Sequence, residues 1–420
     1  MSSSTTAWTA YLWRLMVAML APSSALLPFG AWAASVWGSP VPELHSGQSQ
    51  MQNQHQNQQH QPQDQHHRHR DVGEFNCFNA SLPNVTIYAT GGTIAGSASS
   101  ADQTTGYQAG ALGIQALIDA VPQLCNVSNV RGVQVANTDS TNMNSSTLLA
   151  LSQQIQDDLD SPYTQGAVVT HGTDTLEESA FFLDLTIASD KPVVVTGSMR
   201  PATAISADGP MNLLSSATLA GSEGARGRGV LIVLNDRIGS ARFMSKSNAN
   251  QLDAFQSADG GFLGGFVNNI QPVFYYPPSR PLGHHHFDVR GVRRWRGGGG
   301  GDDEAKLPQV DVLYAHQELN VGLFQAAIDL GAKGVVLAGL GAGYWTEAGS
   351  DEIRRALQDA DIPVVVSRRP AWGFASSNGL EGIGAGFLNP QRARIQLQLA
   401  LEMGLEREAI RPIFEHHGVY

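Results

Sequence analysis

The sequence predicts an α/β fold: a larger N-terminal, mainly parallel sheet with helices on both faces, plus a smaller C-terminal α/β domain. Three observations lead there. Short apolar runs alternate with segments of helical periodicity. Their βαβα order implies a mainly parallel sheet with helices on both faces. The alternation occurs in two blocks, separated by a polar, glycine-rich stretch.

In the first block, residues 84–89 form a β-rich run that ends in Gly91-Gly92. Residues 166–170 read as an apolar strand, and 175–188 as a helix with Leu176, Ala180, Phe181 and Leu183 on one face. A strand over 192–196, a helix over 209–220 and a strand over 229–234 follow. Between Tyr276 and Lys306 the pattern stops. His284-His285-His286, four arginines around Trp295 and the glycines 297–301 read there as a solvated linker or inserted loop. The second block carries strands at 310–314, 334–337 and 363–367, and helices at 321–330, 351–360 and 390–403.

The N-terminus has a different character. Arg14 precedes the apolar residues 15–27, which Pro22-Ser23-Ser24 interrupts, and Ala31-Trp32-Ala33 carries small residues at signal-peptidase spacing. The run is too short to span a bilayer, so it reads as a cleaved secretory signal; an uncleaved anchor is the competing reading. Residues 48–70 are dominated by Gln, His and Asn and cannot form a core. Their histidines (His55, His60, His66, His67, His69) read as part of a solvated tether rather than a metal site. The expected organisation is a signal peptide over 1–33, a disordered extension over 34–81, a catalytic domain over 82–276, a linker over 277–306 and a C-terminal domain over 307–420.

Secretion gives meaning to two further features. Cys77 and Cys125 are the chain's two cysteines, and in an oxidising compartment they either bridge or stay free; the bridge is the expectation. Sequons stand at Asn79, Asn84, Asn126 and Asn144. Asn84 directly precedes a strand and is expected to be too buried for a glycan; the other three are better placed. The formal net charge of -11 repels phosphate backbones, which argues against a nucleic-acid partner.

Three strand ends carry clustered small polar residues: Thr90-Gly91-Gly92-Thr93-Ile94-Ala95-Gly96, Thr170-His171-Gly172-Thr173-Asp174-Thr175 and Thr196-Gly197-Ser198-Met199-Arg200-Pro201. Chemistry in parallel sheets sits at the carboxyl ends of strands. Glycines let backbone approach a ligand, and Thr and Asp bring a nucleophile, an acceptor and a charge. A phosphate cradle is the rival reading, but neither G-x-G-x-x-G spacing nor a Gly-Lys-[Ser/Thr] step is present.

The first two of these segments make the chain resemble the L-asparaginase/glutaminase-asparaginase family, in its secreted bacterial-type form. The likeness runs from about Leu82 to the C-terminus and includes residues 193–201, Ser206-Ala207-Asp208-Gly209-Pro210 and Leu388-Asn389-Pro390-Gln391-Arg392-Ala393-Arg394. The resemblance implies Thr93 as nucleophile, Tyr107 as the mobile-loop tyrosine that helps activate it, and Thr173, Asp174 and Lys246 as a second catalytic group. It implies Ser140, Thr173 and Asp174 as substrate contacts. A threonine hydroxyl is a poor nucleophile at neutral pH and needs such partners. His171 reads as a structural strand-end residue.

The implied activity is hydrolysis of L-asparagine to L-aspartate and ammonia. The alternatives are comparable use of L-glutamine, or a non-catalytic amino-acid-binding surface glycoprotein. No metal or organic cofactor is implied. A small-molecule substrate is the implied partner, a homotetramer with each site completed by a neighbour the implied assembly, and the extracellular or periplasmic space the implied location. The chain departs from the family pattern at Ala342, where members often have Asn, at Thr141, where they often have Gln, and in the short loop 371–380, where Asn378 or Glu381 stands near an expected glutamate. These departures bear on affinity and on the preference between the two amides.

Overall fold

The structure, a computed structural model, describes residues 75–268, 271–281, 283–292, 306–360, 362–377 and 382–415. The expected signal, the tether, the arginines and glycines of 293–301, Asn378 and Glu381 lie outside the described residues.

The first block runs β1 (Asn84–Gly91), α1 (Ile114–Asp119), β2 (Asn129–Thr138), α2 (Ser145–Asp160), β3 (Gly166–Thr170), α3 (Leu176–Thr186), β4 (Val193–Thr196), α4 (Gly209–Ala220) and β5 (Val230–Leu234). Short strands follow: β6 (Arg237–Ser240), β7 (Ser245–Lys246), β8 (Phe255–Gln256), β9 (Gly264–Val267) and β10 (Gln271–Phe274). The second block runs β11 (Val310–Tyr314), α5 (Leu323–Asp329), β12 (Gly334–Gly339), α6 (Glu347–Ala360), β13 (Val364–Arg368), β14 (Ile383–Gly384), α7 (Pro390–Glu402) and α8 (Arg407–Phe414).

Among the described residues, the large sheet has the order β10-β9-β6-β5-β4-β3-β1-β2. Strands β1 to β5 pair in parallel, and β6, β9 and β10 add an antiparallel wing. The smaller sheet, β11-β12-β13-β14, is parallel. Alternate residues of the central strands enter separate cores. Val168, Val194 and Leu231 pack with α1 and α4, whereas Val169, Val195 and Ile232 pack with α2 and α3. This two-faced burial is why those strands are apolar without interruption. The α3 side continues through α7 into Val310, Val336 and Val365, so both sheets share one core.

β2, α2 and the antiparallel wing have no counterpart in the apolar pattern of the sequence. β2 is an edge strand, half exposed and carrying Asn129, Arg131 and Gln134, so it has no apolar run to read. α2 buries Gln153 and Gln156 beside its leucines, which blurs its apolar stripe.

Segment 283–292 differs from the solvated linker expected of it. Phe287 and Val289 are buried in the main core. The Phe287 N–H donates to Leu185 O at 2.8 Å, and Gln153 Nε2 donates to Val289 O at 3.2 Å. Two apolar residues at alternate positions suffice to dock a stretch that histidines and arginines make look polar.

Cys77 and Cys125 form a disulfide that ties the start of the described chain to the turn after α1. The amide of Asn84 is spent inside the fold: Nδ2 donates to Tyr163 O at 2.9 Å and Oδ1 accepts from Asn129 at 2.8 Å. Asn79, Asn126 and Asn144 are exposed. No helix among the described residues is long and apolar enough to cross a membrane.

Candidate active site

Register brings the three strand ends into line. Ala89 pairs with Thr170, and Thr170 with Thr196. β1 lies between β2 and β3, so the chain leaves it to one side and returns on the other. A crevice opens beyond the carboxyl ends at such a switch point. Gly92 and Gly172 let the loops meet there. A Cβ on Gly92, whose φ is +79°, would stand 2.2 Å from Gly172 N, and one on Gly172 would stand 2.7 Å from Ser140 Oγ. Side chains at either place would push the loops apart.

The crevice holds a solvent-open cavity of about 580 Å³, lined among others by Thr93, Tyr107, Ser140, Thr173, Asp174 and Lys246. Thus all six residues that the resemblance implies face one space. Thr93 is buried at the start of a single 3-10 turn, and its Oγ1 lies 2.7 Å from the Tyr107 hydroxyl. Burial raises the Tyr107 pKa above the usual phenol value; the Thr93 hydrogen bond opposes this, and Asp139, Asp174 and Asp208 add to it.

A second hydroxyl centre lines the same cavity. Lys246 Nζ donates to Thr173 Oγ1 at 3.0 Å and to Asp174 Oδ1 at 2.5 Å. Thr173 is buried, while Asp174 remains exposed toward the cavity mouth. Ser140 is buried, and its carbonyl accepts from Thr175 Oγ1 at 2.8 Å, which links its loop to the start of α3.

The third strand end contributes a wall. Met199 and Arg200 line the cavity, but Ser198 is fully buried and donates to Arg200 O at 2.6 Å. Asp208 shapes that wall by accepting from the N–H groups of Met199 and Arg200, each at 2.9 Å. His171 is buried behind the loops, 2.8 Å from Ser179 Oγ, and burial pushes its pKa down to about 4. Thr141 turns to Asp139, to which its Oγ1 donates at 3.2 Å. Ala342 lies in the exposed turn after β12, beside the Leu340–Tyr344 bridge, and is not part of the cavity lining.

Sequence reasoning missed Glu177. It follows the Thr173-Asp174 loop closely, yet as one acidic residue in a helix it gives no signal. Its carboxylate is buried and accepts from the backbone N–H of Lys246 at 2.8 Å.

Comparison with known proteins fits this geometry. Residues 84–280 match the family described as "Asparaginase, N-terminal", and residues 309–414 match the "Glutaminase/Asparaginase C-terminal domain". The chain is similar to "Probable L-asparaginase 3" of Schizosaccharomyces pombe, with 49% identity over 82% of this chain and 92% of that protein. It is 47% identical to "L-asparaginase 2-3" of Saccharomyces cerevisiae, over 81% of this chain and 92% of the relative. Among solved structures, the "Probable Cytoplasmic L-asparaginase from Campylobacter jejuni" aligns with a TM-score of 0.72 and 40% identity, covering 79% of this chain and 99% of that one.

Proposed function

The chain belongs to the L-asparaginase family, and from that premise we propose that it hydrolyses L-asparagine to L-aspartate and ammonia through an acyl-enzyme on Thr93. One observation carries the reading. Two hydroxyls face a single cavity, each with its own proton-handling partner: Thr93 with Tyr107 at 2.7 Å, and Thr173 with Lys246 at 3.0 Å.

Thr93 Oγ attacks the carbon of the side-chain amide. Tyr107, kept protonated by burial, accepts the Thr93 proton as it gives its own to the departing nitrogen. The C–N bond breaks, ammonia leaves, and the aspartyl group remains on Thr93 as an ester. Water then adds to the ester carbon. Thr173 takes a proton from the water and passes its own on through Lys246, which Asp174 holds in place. That proton returns to Thr93 Oγ as aspartate is released. Backbone N–H groups of the Gly172 loop stabilise the oxyanion of both steps. Ser140, Thr173 and Asp174 hold the substrate's α-amino and α-carboxylate groups.

The size of the cavity supports a second reading, in which L-glutamine is also turned over. About 580 Å³ open to solvent leaves room for one more methylene. A methylene alone distinguishes substrates by only about 1–3 kcal/mol.

The reading extends to location and assembly. We propose a secreted, glycosylated enzyme that assembles as a homotetramer; the Cys77–Cys125 disulfide and the exposed Asn79, Asn126 and Asn144 support secretion. Ammonia release from both amides by wild type and Thr93→Ala tests the core of the proposal. Asparagine turnover that vanishes in the variant is the expected result. Equal efficiency on both amides would move the assignment to a glutaminase-asparaginase, and no turnover by folded protein would end it.

A further inference from the structure

Lys246 is held in an unusual way for a residue at the centre of a site. It lies on the two-residue strand β7, which pairs with β8 in a separate two-stranded sheet and joins neither main sheet. So short a hairpin defines position poorly by itself. The C-terminal domain supplies what is missing. From the first turn of α7, the buried guanidinium of Arg392 donates to Ala241 O at 2.9 Å, to Met244 O at 2.5 Å and to Ser245 Oγ at 2.7 Å. Its nitrogens are thus spent on the stretch that delivers Lys246.

The carboxylate of Glu177 completes the clamp. Oε2 accepts from the Lys246 N–H at 2.8 Å, and Oε1 accepts from Asn389 Nδ2 at 3.0 Å, with Arg392 Nη1 3.9 Å away. Glu177 belongs to the first turn of α3, three residues after Asp174. One buried anion therefore joins the backbone of Lys246, the segment bearing Thr173 and Asp174, and the start of α7. Its charge is matched and both its oxygens are used, the condition under which a buried carboxylate is tolerated. Glu177 does not line the cavity.

We propose that Glu177 is a positioning residue that fixes Lys246 against Thr173, and that Asn389 and Arg392 make this alignment depend on the C-terminal domain. The proposal rests on the catalytic reading of Lys246. It gives the Leu388-Asn389-Pro390-Gln391-Arg392 stretch a role that the chemistry of the cavity alone does not.

Asn389 allows a clean test, because it does two separable things. Its Oδ1 caps α7 by accepting from Arg392 N at 3.0 Å, while its Nδ2 holds Glu177. Asn389→Ser keeps a capping hydroxyl but loses the reach to Glu177. Steady-state L-asparagine hydrolysis and thermal unfolding would be measured on the full-length wild type, Asn389→Ser, Glu177→Gln, Lys246→Met and the Lys246→Met/Asn389→Ser double variant. Misplacement of a reacting group by about 1 Å costs on the order of 100-fold, so kcat of Asn389→Ser and Glu177→Gln should fall by about 10- to 100-fold with KM near that of the wild type.

The double variant should be no slower than Lys246→Met alone, since Asn389 acts through Lys246. A wild-type kcat in folded Asn389→Ser overturns the proposal, and so does a full additional loss in the double variant. Should Glu177→Gln fail to fold, Asn389→Ser and the cycle decide by themselves. Full activity in Lys246→Met would instead overturn the catalytic reading beneath the proposal. Loss in Lys246→Met beside wild-type kinetics in the other two would overturn the positioning role alone.

Discussion

The two hydroxyl centres facing the cavity are built in opposite ways. Thr93 finds Tyr107 14 residues along the chain, in the connection between β1 and α1. That connection is tied mainly by backbone bonds such as Gln108 N–H to Ser97 O at 3.0 Å and Gly110 N–H to Gly92 O at 3.0 Å, and residues 99–106 are largely exposed. Thr173 meets Lys246 across 73 residues, and that lysine is clamped by a buried carboxylate and a buried guanidinium from two other elements. The first centre belongs to the easily opened end of the stability range, the second to the core. A substrate needs both an entrance and a fixed reference, and the two centres differ in the way those demands require.

Several substitutions would break or sharpen that contrast. Thr93→Ala removes the bond-forming oxygen and should lower kcat by at least about ten-thousand-fold. Rapid quenching of the wild type with asparagine, followed by peptide mass analysis, should find the aspartyl ester on the Thr93 peptide. An ester on the Thr173 peptide would exchange the roles of the two centres. Lys246→Met should cost about a thousand-fold, within the span of lost acid–base catalysis, while the melting temperature changes little. Tyr107→Phe keeps the ring in place and deletes the relay hydroxyl, so a loss of about 100-fold is expected. A loss as deep as that of Thr93→Ala would mean that the tyrosine does more than relay a proton.

An effect on stability rather than on rate concerns His171, buried behind the loops. Burial lowers the pKa of His171 from the ordinary 6.5 to about 4. Between those values the unfolded chain binds a proton that the native ring does not, so stability falls as pH drops from about 6.5 toward 4. The linked loss is on the order of 3 kcal/mol. Denaturant unfolding at several pH values should show that slope, and His171→Asn should flatten it while the slope of any other group remains.

Much of the fold was legible in the chain. β3 and α4 run over the residues that periodicity assigns, as does β11 in the second block. Thr93, Thr173 and Asp174 stood out because each sits in a contiguous motif next to a strand, and a motif of that kind is a local property. Asn84 precedes a strand and is expected to be too buried for a glycan; it is half-buried, and its side-chain amide is held by Tyr163 and Asn129, partners far away in sequence. Tyr107, Ser140 and Lys246 came from resemblance alone, because a lone tyrosine, serine or lysine in a polar stretch has no periodicity to betray it.

By itself the sequence determined where strands alternate with helices, which hydroxyls stand at strand ends and which glycines free the loops. Each of these depends on neighbours within one or two turns of chain. The tertiary structure alone decided the strand order that places β1 beside β3, the docking of Phe287 and Val289 against the core, and the clamp on Lys246. The contact between Asn389 and Glu177 spans 212 residues, a distance over which no repeat or spacing carries information. Such pairs form because burying a carboxylate, a guanidinium and an amide is tolerable only when their donors and acceptors satisfy one another, and only the packed chain brings them within reach.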